Sequence, residues 1–139
     1  MWLSLTKPDV FDPSAAHRFP AILDPGFNES FLASPQHLRD WCHVNEVELP
    51  EADSVVVRVY EKAVTPRDAN LWLYRNVPFS HDEVLGDAPF QIEIDAGILV
   101  SPEAKKPRLP LLGLRAIESS KMRVVIDGAQ QLVSINSSE

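Results

Sequence analysis

One cysteine, five glycines, no stretch of Lys and Arg longer than the KKPR of residues 105–108, and no apolar run of about 18 residues are the scarcities that first constrain this 139-residue chain. A lone Cys42 excludes an intramolecular disulfide and points to a reducing compartment, or to a fold that needs none. Without a long apolar run, no membrane-spanning helix is expected. The opening MWLSLTKPDVFDP has neither a basic n-region nor an apolar h-region long enough for a signal peptide, so cytoplasmic is the default expectation. The formal net charge of −7 leaves no basic face to neutralise phosphates, which argues against a nucleic-acid partner. Gly-rich phosphate loops, a G-x-S-x-G elbow and a Cys/His nucleophile pattern are all missing.

Proline is what the chain has in excess. Its 12 prolines recur from Pro8 to Pro110, and each one disfavours helix interior, so the expected elements are short strands and turns rather than a bundle. An apolar fraction of 45% and a charged fraction of 24% are ordinary for a globular protein, and the length suits one domain over residues 1–139. The expected fold class is therefore mainly β with one or two short helices.

Local patterns place these elements. Residues 19–23 read as a buried strand ending in the turn Asp24-Pro25-Gly26, and apolar character restarts at Phe31 and Leu32. Ser34-Pro35 has the order of an N-cap followed by Pro at the first helical position, with Leu38, Trp41 and Cys42 on one face, which predicts a helix over about 35–43. The β-branched run at 54–61 and the segment at 70–77 predict a hairpin across KAVTPRDA. PFQIEIDAGILV at 89–100 reads as one strand, exposed at first and then running into the core. LRAIESSK after Gly113 suits two helical turns, and MRVVIDGAQQLVSI suits a hairpin turning at Asp127-Gly128.

The run LPLLGLRAI at 109–117 echoes FPAILDPG, with glycine ending an apolar stretch in both. Taken with the order of elements, the apolar lead into D-x-G, a hydroxyl six residues later at Ser30, and the closing strand pair, the chain resembles the retropepsin-like aspartic peptidases over roughly residues 19–135. The resemblance implies an acid-protease half-barrel, and a homodimer in which Asp24 meets its symmetry mate. Two carboxylates sharing one proton let one activate water as general base while the other polarises the scissile carbonyl of an extended peptide. Pro25, Gly26 and Ser30 would shape the acid's loop, while Leu112, Gly113 and Arg115 would form its carboxylate-free counterpart. Lys62, Ala63, Val64, Thr65 and Pro66 fall where the family carries its flap, and MWLSL and QLVSI suit its dimer sheet. The family's activity uses no cofactor or metal, and neither a membrane nor nucleic acid is an expected partner.

Three features depart from the family pattern. Pro25 replaces the hydroxyl residue that bonds across the dimer, the flap segment has no glycine, and Arg115 stands where Asp or Asn is usual, which suggests pairing with Glu29. Two functions therefore stay open: an aspartic endopeptidase, and a catalytically inactive binding or interaction module on the same fold. A small β-barrel unrelated to peptidases is a third reading.

Other acidic and metal-capable residues have plainer expectations. Asp127 reads as a hairpin turn, Asp95 as the exposed face of its strand, and Glu48, Glu51 and Asp53 as a solvated loop. His37, Cys42 and His43 do not converge on a helix, since His43 lies about 100° round from Cys42. His81-Asp82-Glu83 is also a poor ligand set. Trp2 and Trp41 suit core or dimer surface, while Trp72 on the flap segment suits a cleft lining.

Overall fold

The computed structural model describes residues 1–52, 56–74, 89–94, 96–102, 106–130 and 132–137. In chain order the elements are β1 (Trp2–Thr6), β2 (Phe19–Pro20), β3 (Ile22–Leu23), β4 (Phe31–Ala33), α1 (Pro35–Trp41), β5 (Val57–Val59), β6 (Lys62–Val64) and β7 (Asn70–Tyr74). They continue with β8 (Phe90–Ile92), β9 (Leu99–Val100), β10 (Leu111–Leu112), α2 (Leu114–Ser119), β11 (Met122–Asp127) and β12 (Leu132–Ser137). The fold is mainly β with two short helices. Among the described residues the strands form open sheets and no closed barrel: β2-β1-β7-β8, β3-β10-β4-β9, and the pairs β5-β6 and β11-β12. No helix among them is long and apolar enough to cross a membrane.

Alternation in β1 explains the first sheet. Leu3 and Leu5 face the core beside their cross-strand partners Leu73 and Leu71, and Ile92 follows on β8. Ser4 and Thr6 lie on the other face, where the Trp72 indole N–H donates to Thr6 Oγ1 at 3.1 Å. Asn70 Nδ2 donates to the carbonyls of Lys7, Pro8 and Val10, folding that loop back toward the sheet. Phe19, Phe31, Leu38, Leu49, Ile98 and Leu112 complete a core that joins both large sheets to α1. Each such side chain contributes about 1.5–3 kcal/mol by leaving water.

Three expectations change here. The hairpin expected between 54–61 and 70–77 does not form: β5 turns back onto β6 through Tyr60 and Glu61, both left-handed with φ of 49° and 69°. β7 instead pairs with β1 and β8, where Leu71 gains a core neighbour on each side, Leu5 and Ile92, and Leu73 one at Leu3. Secondly, 89–100 is not one strand. Gly97, at φ +79°, donates to the Ile94 carbonyl at 3.0 Å and breaks the run, so that β8 joins the first sheet and β9 the second. A Cβ at Gly97 would stand 2.7 Å from the Arg67 carbonyl oxygen, so only glycine fits this crossing. Thirdly, within the MWLSL segment expected to build a dimer sheet, Trp2 and Leu3 are paired with their own chain's strands on both sides, while Ser4 and Leu5 pair with β7 alone.

Helix α1 starts as its sequence predicts. Ser34 Oγ accepts from the His37 N–H at 3.0 Å, and His37 Nδ1 accepts from the Ser34 N–H at 3.1 Å, a capping box with imidazole where Glu or Gln is usual. That bond makes Nε2 the protonated nitrogen, which donates to the Arg108 carbonyl at 3.2 Å. Burial depresses the basicity of His37 below the ordinary 6.5; the Arg108 carbonyl and Asp40 oppose this, and Lys106 adds to it. Because the unfolded chain then binds the proton more readily, stability holds above about pH 6.5 and falls as the pH drops through 6.5 toward the lower native value. His37→Gln keeps a side-chain acceptor at the cap but cannot titrate. Its urea midpoint should fall less than that of wild type between pH 7.5 and 5.5; parallel declines would remove His37 as the cause. Cys42, just beyond the helix, is held as a neutral thiol by burial, which pushes it up to about 12.

Candidate functional site

The second sheet builds the site around β10. This strand runs parallel to β3, pairing Leu111 with Ile22 and Leu112 with Leu23, and antiparallel to β4, pairing Leu111 with Leu32 and Leu112 with Phe31. β10 is thus threaded between the two strands that flank the Asp24 loop. Backbone bonds of 2.9 Å fasten the arrangement: Ile22 N–H to Pro110 O, Asp24 N–H to Leu112 O, Gly113 N–H to Ser30 O and Leu114 N–H to Phe27 O. Leu112 is completely buried beneath the loop.

Within the loop, the Asp24 carbonyl accepts from the Phe27 N–H at 3.0 Å and its Oδ1 accepts from the Gly26 N–H at 2.9 Å. Pro25 therefore occupies the second position of a β-turn, where a locked φ is favourable and no N–H is required. The residue that departs from the family pattern is locally well placed, and its side chain is exposed. Asp24 is half-buried, and its second oxygen, Oδ2, has no hydrogen-bond partner among the described residues. Ser30 is buried at 2% exposure, and its Oγ is likewise unpartnered among the described residues.

Gly113 allows the close approach. An added Cβ would meet Glu29 O at 2.0 Å, Phe27 O at 2.6 Å and Phe27 Cδ2 at 2.7 Å. Its φ of −101° is open to any residue, so the requirement is steric. Arg115 Nη1 lies 3.5 Å from Glu29 Oε2, the pairing its sequence position suggests. Both side chains are partly solvated, so the pair contributes about 0–1 kcal/mol and serves mainly to orient the loop.

The β5-β6 hairpin packs against this sheet. Leu32, Val59 and Leu99 form an apolar cluster against which Phe27, Val57, Val64 and Leu111 pack, placing the hairpin beside the loop that carries Asp24. The segment expected to form a flap, residues 62–66, falls on the second strand of this hairpin and just beyond it. Lys62, Ala63 and Val64 are strand, Thr65 is half-buried and Pro66 is wholly buried, its carbonyl accepting from the Ala52 N–H at 2.7 Å. The tip is Tyr60-Glu61, and Thr65-Pro66 is the anchor. Trp72 is not on this hairpin; it is a sheet residue of β7.

Elsewhere, Asp127 Oδ1 accepts from the N–H groups of Ala129 and Gln130, as a hairpin turn requires. Asp53, His81, Asp82, Glu83 and Asp95 lie outside the described residues. Phe27 was invisible to sequence reasoning, although its carbonyl holds Leu114 and its ring lies against Gly113. The only available signal was that glycine itself. Comparison of the chain with protein-family models, curated proteins and solved structures found no match.

Proposed function

We propose that this chain is a retropepsin-like aspartic endopeptidase acting as a homodimer, with Asp24 of each copy forming the acid/base pair. The observation that carries the reading is the threading of β10 between β3 and β4, which presses Gly113 against Phe27 and Glu29, just after the Asp24-Pro25-Gly26 turn, more closely than any side chain permits. Such an interlock holds one carboxylate rigidly, with Oδ1 engaged by the Gly26 N–H and Oδ2 available. The counterpart segment has Arg115, on the first turn of α2, rather than an acid, so the second carboxylate comes from a second copy. Between the two acids one proton is shared. The ionised partner takes a proton from water as the water oxygen bonds to the carbonyl carbon, and the protonated one donates to the carbonyl oxygen. The tetrahedral intermediate then breaks its C–N bond as the first acid gives its proton to the leaving amine and the second recovers its own from the collapsing hydroxyl. An extended peptide held under the β5-β6 hairpin supplies the scissile bond.

A non-catalytic binding module is the second reading, favoured by an exposed Pro25 that offers no hydroxyl to a partner loop. Pepstatin-type inhibitors separate the two, because their hydroxyl mimics the tetrahedral intermediate and needs both carboxylates. Calorimetric binding at mildly acidic pH, lost in Asp24→Asn, is the expected result. No binding at any pH to a wild-type chain shown to be folded would favour the module.

A further inference from the structure

His17 and His43 are 26 positions apart in the chain, yet their rings meet with centroids 4.5 Å apart and planes tilted by 59°. Both are exposed, and neither ring makes a hydrogen bond or ion pair among the described residues. His37, by contrast, has both nitrogens engaged. We propose that His17 and His43 together bind one divalent transition-metal ion of the copper, nickel or zinc type, clamping the loop that precedes β2 to the end of α1.

The spacing suits chelation. With a metal–nitrogen bond of roughly 2.0–2.1 Å, each imidazole centre stands about 3.2 Å from the ion. When one nitrogen of each ring turns toward a common ion, centres 4.5 Å apart subtend about 90° at the metal, the cis angle of a tetragonal site. A tetrahedral angle would need centres about 5.2 Å apart, a small adjustment for two exposed side chains.

The backbone on both sides is already fixed, which lowers the ordering cost of gathering the ligands. His43 follows α1 in the left-handed conformation, φ 55°, at a position where helices usually place glycine, and this costs about 1 kcal/mol for a residue with a Cβ. Beyond it, buried Val44 donates to the Leu38 carbonyl at 3.0 Å. His17 is held between Ala16, whose N–H donates to the Pro13 carbonyl, and buried Phe19. The neighbouring Arg18 guanidinium lies over the Tyr74 ring, 4.1 Å from its centroid. Among the described residues no third His, Cys, Asp or Glu joins the pair, so water completes the coordination and the ion exchanges freely.

Titration of the tag-free 139-residue chain with CuCl2, NiCl2, ZnCl2 and MgCl2 tests this, with calorimetry reading affinity and stoichiometry and melting curves reading stabilisation. One ion per chain is expected, with copper tightest, nickel and zinc weaker, and no response to magnesium, which prefers oxygen ligands. His17→Asn and His43→Asn should each weaken binding about tenfold or more, since a direct ligand matters at least as much as an outer-sphere one. Asparagine also tolerates the left-handed backbone, and unchanged circular dichroism would show that the fold persists. His81→Asn should bind as wild type. Wild-type affinity in either pair variant, loss of binding in His81→Asn, or an equal response to magnesium would overturn the site.

Discussion

Gly113→Ala is expected to destabilise the chain by about 3 kcal/mol or more, lowering Tm by roughly 10 °C. The new Cβ would fall 2.0 Å from Glu29 O and 2.6 Å from Phe27 O, and both obstacles are backbone atoms that no rotamer change can move. Relief requires drawing the Asp24 loop away from β10, which breaks the bonds from Gly113 to Ser30 and from Leu114 to Phe27. Gly128→Ala is the control. Nothing lies within 4 Å of its added Cβ, so its Tm should stay within a degree or two of wild type. Equal effects at both positions, read by calorimetry, would mean that β10 does not press against the loop.

Asp24→Asn is expected to reduce turnover by about 10³-fold or more while leaving the fold unchanged. The amide retains Oδ1 as acceptor for the Gly26 N–H, so the turn survives, as do the backbone bonds from Asp24 to Leu112 and from Phe27 to Asp24. What disappears is the group that, in the proposed function, takes and returns a proton. Initial rates on an extended peptide that wild type cleaves, together with Tm values for both proteins, make the comparison. Comparable turnover would place the chemistry elsewhere.

How much of this was legible in the sequence depended on the range of the interaction. Helix α1 was readable because Ser34-Pro35 acts within one turn, and the Asp127 hairpin because its turn chemistry is local. Strand character at 57–59 and 70–74 was equally readable, but alternation specifies a face and not a neighbour. The pairing of β7 with β1 across more than sixty residues is therefore not encoded locally, and Trp72 belongs to that sheet rather than to the hairpin its neighbours suggest. The loop itself stood out because Asp24-Pro25-Gly26 and Gly113 both end apolar runs, a pattern that burial and close approach impose jointly. Arg115 and Glu29 could be matched from opposite charge together with their positions in the family pattern. Phe27 could not, since its role runs through a backbone carbonyl, and the His17–His43 encounter depends on a left-handed residue that composition does not reveal.

The claim that Asp24 works as a pair shared between two copies is tested most directly by mixing. Wild-type and Asp24→Asn chains are combined in equal amounts, allowed to exchange subunits, and assayed at the total concentration of an all-wild-type sample. Only dimers with two acids turn over, so the rate should fall to about a quarter of the all-wild-type value. A rate of about half, which independent chains would give, would contradict the shared site.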